Sequence, residues 1–172
     1  MGRRHLAREL ALKVLFELET DGSDPTRSLQ YHAAEARADD NVTAFAGTLV
    51  AGVLEHQREI DARLAEASRN WGLDQMAKVE RTLLRIATFE IEFLPSVPLK
   101  AAITESIELA KTFGGPDSGK FVTGIPGPIA AETPARPLPA DQAPAPGPAS
   151  RPAATANRGA PARARPAGSA AR

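Results

Sequence analysis

The stretch Phe113-Gly-Gly-Pro-Asp-Ser-Gly-Lys-Phe121 sets Gly114, four residues, Gly119 and Lys120 at the spacing of a phosphate-binding loop. In such a loop the backbone N–H groups cradle phosphates and a Ser or Thr after the lysine holds Mg²⁺. Phe121 stands at that last position and has no hydroxyl to offer. A working loop also leaves a strand before it enters a helix, whereas the residues ahead of Gly114 carry a helical pattern. No apolar strand ending in Asp supplies a second metal partner. Nucleotide hydrolysis is therefore not expected, and Lys120 needs another explanation.

Other chemistries fare no better. His5, His32 and His56 lie far apart, without the i, i+3 or i+4 spacing that suits a helical metal site. They read as surface or capping residues. Ser118 sits between Asp117 and Gly119 with no G-x-S-x-G elbow around it, and the pair Asp117-Ser118 fits the start of a final helix better. Glu105 and Glu108 share a helix face and read as solvated acids. The chain has no cysteine, which removes disulfides, Cys-ligated zinc and a thiol nucleophile. These readings predict a protein that is not an enzyme and that carries no cofactor and no metal.

Any site must then be a surface, positioned by helices. Ala7, Leu10, Ala11, Val14, Leu15 and Leu18 recur at helical spacing and mark a first amphipathic helix. Asp24-Pro25 reads as an N-cap and first helical residue of a second helix, which carries Leu29 and ends before Asp39-Asp40. A third begins near Asn41 and presents Val42, Phe45, Leu49 and Val53. A fourth carries Ile60 and Leu64 toward Trp71, whose ring is expected to anchor the turn at Gly72. Val79, Leu83, Ile86 and Phe89 mark a central core helix stopped by Pro95 and Pro98. Leu99, Ile103, Ile107 and Ala110 form the stripe of the next, which Gly114-Gly115 closes. No convincing strand is present.

Composition changes abruptly near residue 125. Residues 1–125 hold 15 Lys and Arg against 19 Asp and Glu, while residues 126–172 hold 6 Arg against 2 acids, so the formal net charge of zero joins an acidic body to a basic tail. Eleven of the last 47 residues are proline, and only Ile129 and Leu138 there are apolar side chains larger than Ala, too few to offset the entropy of ordering. The expected organisation is a helical domain over 1–125 and a disordered Pro/Ala/Arg-rich tail over 126–172. The arginines of that tail could add non-specific attraction to nucleic acid, or be simply solvated. The N-terminus lacks the apolar core of a signal peptide and no run reaches the roughly 18 apolar residues of a membrane span, so a cytoplasmic protein is expected.

Taken together, VERTLLRIATFEI, VPLKAAITESIELAKTFG and DSGKFVTGI closely resemble the NusB family of bacterial transcription antitermination factors, and RHLARELALKVLFELE resembles its first helix. The resemblance runs in order from about Arg3 to Ile125. It implies an all-α fold of about seven helices in two small helical subdomains. It also implies RNA binding: family members pair with the ribosomal protein NusE, bind boxA-type single-stranded RNA in nascent ribosomal RNA transcripts, and act in an RNA polymerase antitermination complex. Some are homodimers and others monomers. A NusB-like domain also precedes the catalytic domain of ribosomal RNA methyltransferases, and here that reading requires a separate catalytic partner.

Arg4 and Arg8, four residues apart near the start of the first helix, with Arg3 beside them, suit a single-stranded phosphate backbone. Cations at the positive end of a helix dipole disfavour the helix, which argues that they serve something else. The resemblance adds Phe113 as a stacking face, Lys120 as a phosphate contact, Asp117 as a carboxylate on the same surface, Phe16 as an assisting aromatic and Glu80 near the partner face. Core packing is the competing role for Phe113 and Phe16. Four cationic contacts, from Arg3, Arg4, Arg8 and Lys120, predict a log–log salt slope near −3, at about −0.7 each. The chain departs from the family at Pro126-Gly127-Pro128, which is expected to stop the last helix after Ser118–Ile125.

Overall fold

The computed structural model describes residues 2–69 and 71–133. Within them the chain forms α1 (Arg3–Asp21), α2 (Pro25–Glu35), α3 (Asp40–Glu55), α4 (Gln57–Ala67), a 3₁₀ turn (Leu73–Gln75), α5 (Lys78–Phe93), α6 (Leu99–Phe113), α7 (Ser118–Gly124) and α8 (Pro126–Glu132). No strand occurs among the described residues. Helices α1, α2 and α3 pack on one another, α4 and α6–α8 gather around α5, and α5 also touches α1 and α3, joining the two groups.

Local chemistry sets the ends of these helices. Asp24 accepts a bond from the Arg27 N–H at 2.8 Å with Pro25 at the first helical position, and Asp39 accepts from the Val42 N–H at 3.0 Å. Gly22 closes α1 in the left-handed region, at φ 70°, donating to the Leu18 carbonyl. Gly52 lets α3 approach α5 closely, because a Cβ there would lie 2.0 Å from the ring of Phe89. The α6 stripe differs from expectation: Ala102, Ser106, Leu109 and Ala110 are buried, while Leu99, Ile103 and Ile107 are only partly so. Small residues one turn apart allow close packing on α5, and the larger ones border the contact.

Helix α1 is buried around most of its girth, with Ala7, Arg8, Leu10, Ala11, Leu12, Val14 and Leu15 all inside. Its neighbours α2, α3 and α5 enclose it, so a residue on its apolar flank is interior whatever its charge.

Two expectations are corrected. Trp71 is 56% exposed and meets Phe121 edge-on at 6.1 Å; the turn is held by Ser68, which donates from Oγ to the Trp71 carbonyl at 2.9 Å. Nor does helical structure end before Pro126. Residue 125 marks a bend, after which α8 starts with Pro126 at its first position and Pro128 still in its first turn. There a missing N–H costs nothing, because first-turn donors have no intrahelical acceptor. Ile129 is 1% exposed and closes the core beside Val122 and Ile125, so the folded body extends to Glu132. The disorder expected for the tail, and Leu138 within it, concern residues 134–172 and lie outside the described residues.

Candidate nucleic-acid interface

Helix α1 begins with four polar side chains that meet four different surroundings. Arg3 is exposed and donates from Nε to Asp39 Oδ2 at 2.9 Å, reaching the N-cap of α3. Arg4 is exposed and rests its guanidinium on the ring of Phe45, 3.8 Å from the centroid. His5 Nδ1 lies 2.6 Å from Glu105 on α6. Arg8, one turn after Arg4, is 3% exposed and binds Glu90 on α5 through contacts of 2.7, 3.0 and 3.1 Å.

Arg8 is therefore withdrawn from the surface where the sequence reading put it. Burial pushes the Glu90 carboxyl above its usual range, and the Arg8 hydrogen bonds and charge pull the other way. Pairing compensates two charges that would be costly to bury singly. The outward cations at this end of α1 are Arg3 and Arg4.

Helices α1 and α6 are bridged twice. His5 meets Glu105, and Lys13 places its ammonium 5.8 Å from the centroid of Phe113. Each step is eight residues, so the two helices run in the same direction with about 12 Å between bridges. At the far end a cleft of about 490 Å³ is lined by Leu12, Lys13, Phe16, Glu17, Val79 and Phe113, together with His32. Phe16 is 36% exposed and Phe113 is partly buried against the core, and both line this cleft. Lys78 covers Phe16, with Nζ 5.2 Å from its centroid.

Beyond Phe113 the glycine-rich stretch is a helix–turn–helix joint, with α6 ending before Gly114 and α7 starting at Ser118. Asp117 occupies the N-cap position but its side chain makes no capping bond. It points outward with Lys120, 3.5 Å away, both side chains 87% exposed. Ser118 Oγ instead donates to Glu80 Oε1 at 2.5 Å, tying the joint to the first turn of α5. Glu80 is thus partly occupied by an internal bond. Arg3, Arg4, Phe16, Phe113, Asp117 and Lys120 retain exposed surface, and only Arg8 among the expected residues is interior.

Sequence reading missed the partners. Glu90 falls on the buried stripe with Leu83 and Ala87, and an acid at such a position signals an interior cation. Asp39 was legible as a helix boundary but not as the partner of Arg3. Phe45 was legible as core, and the arginine on its face was not. The bond with Val42 first, and then Arg3, hold the Asp39 carboxyl below its usual range.

The NusB family profile matches residues 5–126. The chain belongs to the NusB family. A transcription antitermination protein NusB of Desulforamulus reducens is 42% identical over 127 residues, covering 74% of this chain and 88% of the relative. One from Exiguobacterium sp. is 40% identical over 130 residues, covering 76% and 98%. The structure of T. maritima NusB superposes with a TM-score of 0.70 at 32% identity, covering 77% of this chain and 93% of that one. NusB in a complex of the antitermination factors NusB and NusE with double-stranded RNA matches with a TM-score of 0.68 at 26% identity, covering 76% and 98%. The relatives are transcription antitermination proteins and the family is not one of enzymes, as the sequence reading expected. Among the described residues no helix is long and apolar enough to cross a membrane.

Proposed function

We propose that this chain works as an RNA-binding antitermination factor that pairs with NusE, takes up boxA-type single-stranded RNA in nascent ribosomal RNA and joins the antitermination complex on RNA polymerase in the cytoplasm. The observation that carries the reading is a NusB-like fold whose parallel α1 and α6 lead from two outward arginines to an aromatic cleft, with Lys120 exposed on the helix that follows α6. Cations can follow phosphates while ring faces accept stacked bases, each stack being worth roughly 1–3 kcal/mol. The related complex of NusB, NusE and double-stranded RNA supports NusE as partner and RNA as ligand, and the choice of a single strand rests on the ring faces and cations.

With Arg8 interior, three surface cations remain from the expected four. Arg3, Arg4 and Lys120 give a salt slope near −2 for a single strand, at about −0.7 per contact. The test is equilibrium binding of a short boxA-like RNA with and without NusE, with a duplex of the same sequence as competitor. Tighter binding with NusE and preference for the single strand support the reading. Equal binding of any RNA regardless of NusE overturns it.

A further inference from the structure

Arginines gain affinity for phosphate when they are already oriented, because rotamer freedom lost on binding is subtracted from the contact energy. The three arginines of the first α1 turns differ in how they are held. Arg3 and Arg8 are held by carboxylates, Asp39 and Glu90, whereas Arg4 lies 3.8 Å from the centroid of Phe45. That ring is 9% exposed and fixed within α3. The guanidinium of Arg8, immobilised by Glu90, lies 5.7 Å from the same centroid, so a second fixed group limits the ring's movement.

Contact through its flat face leaves the in-plane N–H donors of a guanidinium free. A carboxylate partner would share those donors and offset part of the charge. An aromatic partner does neither.

We propose that Phe45 is a positioning residue for RNA binding: it holds Arg4 flat on its ring so that the edge of the guanidinium is presented to a phosphate. This rests on the RNA-binding reading above. Phe45 itself need not touch RNA, and its buried position gives it no face to stack a base.

The experiment is a double-mutant cycle on the full chain with NusE and a boxA-like RNA. It comprises Phe45→Leu, Arg4→Ala and the double variant, each with a salt series and a thermal melt. Phe45→Leu is expected to weaken binding about 3- to 10-fold, the range of an exposed to partly desolvated cation–π contact. The same change on the Arg4→Ala background should have no further effect. Phe45→Tyr, which keeps the ring face, should bind within about twofold of wild type. Arg4→Lys keeps the charge but loses the flat fork, and should weaken binding several-fold without changing the melt; it serves if Phe45→Leu does not fold.

Equal losses from Phe45→Leu with and without Arg4 would overturn the proposal, since Phe45 would then act through the fold. Wild-type affinity in Phe45→Leu or in Arg4→Lys would overturn it too. If wild type fails to bind RNA even with NusE, the functional reading falls and takes this proposal with it; binding by wild type with unaffected variants sinks the proposal alone.

Discussion

Arg63 and Arg4 are both helix-borne arginines at the surface, and they are treated in opposite ways. Arg63 on α4 is surrounded by carboxylates: its Nε meets Glu92 at 2.6 Å, and its Nη1 meets Glu66 at 3.0 Å and Glu132 at 3.1 Å. These bonds, with that to Glu92 largest, raise its pKa further above that of a free arginine. It ties α4 to α5 and α8, with Nε and Nη1 both engaged by carboxylates. Arg4 instead lies over an aromatic ring, 3.8 Å from the centroid of Phe45. The difference teaches that an arginine's partners, more than its place on a helical wheel, decide between clamp and ligand contact. Arg8 makes the same point from the interior, one turn from Arg4 yet paired like a clamp.

Breaking that internal pair has the largest expected effect. Glu90→Ala leaves the Arg8 charge buried and unpaired and should cost about 3–5 kcal/mol of stability in denaturant unfolding. A loss below about 1 kcal/mol would mean that Arg8 reaches water and belongs with the surface cations after all.

Next comes the Arg63 clamp. Arg63→Ala should destabilise the fold by about 1 kcal/mol, a figure already discounted for partial exposure, with hydrogen exchange rising first in α8. RNA affinity should hardly change. A drop in affinity equal to that of Arg4→Ala would erase the contrast between the two regions.

Asp117→Asn tests the outward face. Removing a carboxylate beside Lys120 should tighten RNA binding several-fold in a salt-matched titration, on the scale of one screened charge contact. Unchanged or weaker binding would place Asp117 and Lys120 away from the RNA.

The smallest expected effect concerns Asp39. Its carboxyl, held low in the folded chain by Val42 and then Arg3, favours folding above its unfolded pKa, and that contribution fades as pH falls through the lowered folded value. In an NMR titration Arg3→Ala should raise the Asp39 pKa only part of the way, because the Val42 bond remains. A return to the ordinary value would show Arg3 to be the main cause.

Much of the fold was legible because helix periods and caps are local. Asp24-Pro25, the Asp39 boundary and the apolar face of α1 came from spacing alone. What spacing could not give was the environment of a polar residue on a buried stripe. Arg8 shares a face with Arg4 in projection, yet α3 and α5 close over it, and that closure depends on contacts between residues 82 positions apart. The end of the body was misplaced for a related reason. Pro126 and Pro128 read as helix breakers, but a bend at Ile125 puts both in the first turn of a new helix. Of the candidate site, Arg3 and Arg4 were legible from their place on the first helix and Lys120 and the aromatics through family resemblance, whereas Phe45, Asp39 and Glu90 required the tertiary arrangement.

The most direct test of the central claim is the change in salt slope between wild type and Arg4→Ala, measured with a boxA-like RNA and NusE. The account predicts that the slope becomes shallower by about 0.7, the loss of one phosphate contact to a single strand. An unchanged slope, with affinity also unchanged, would contradict it and return Arg4 to the solvated surface.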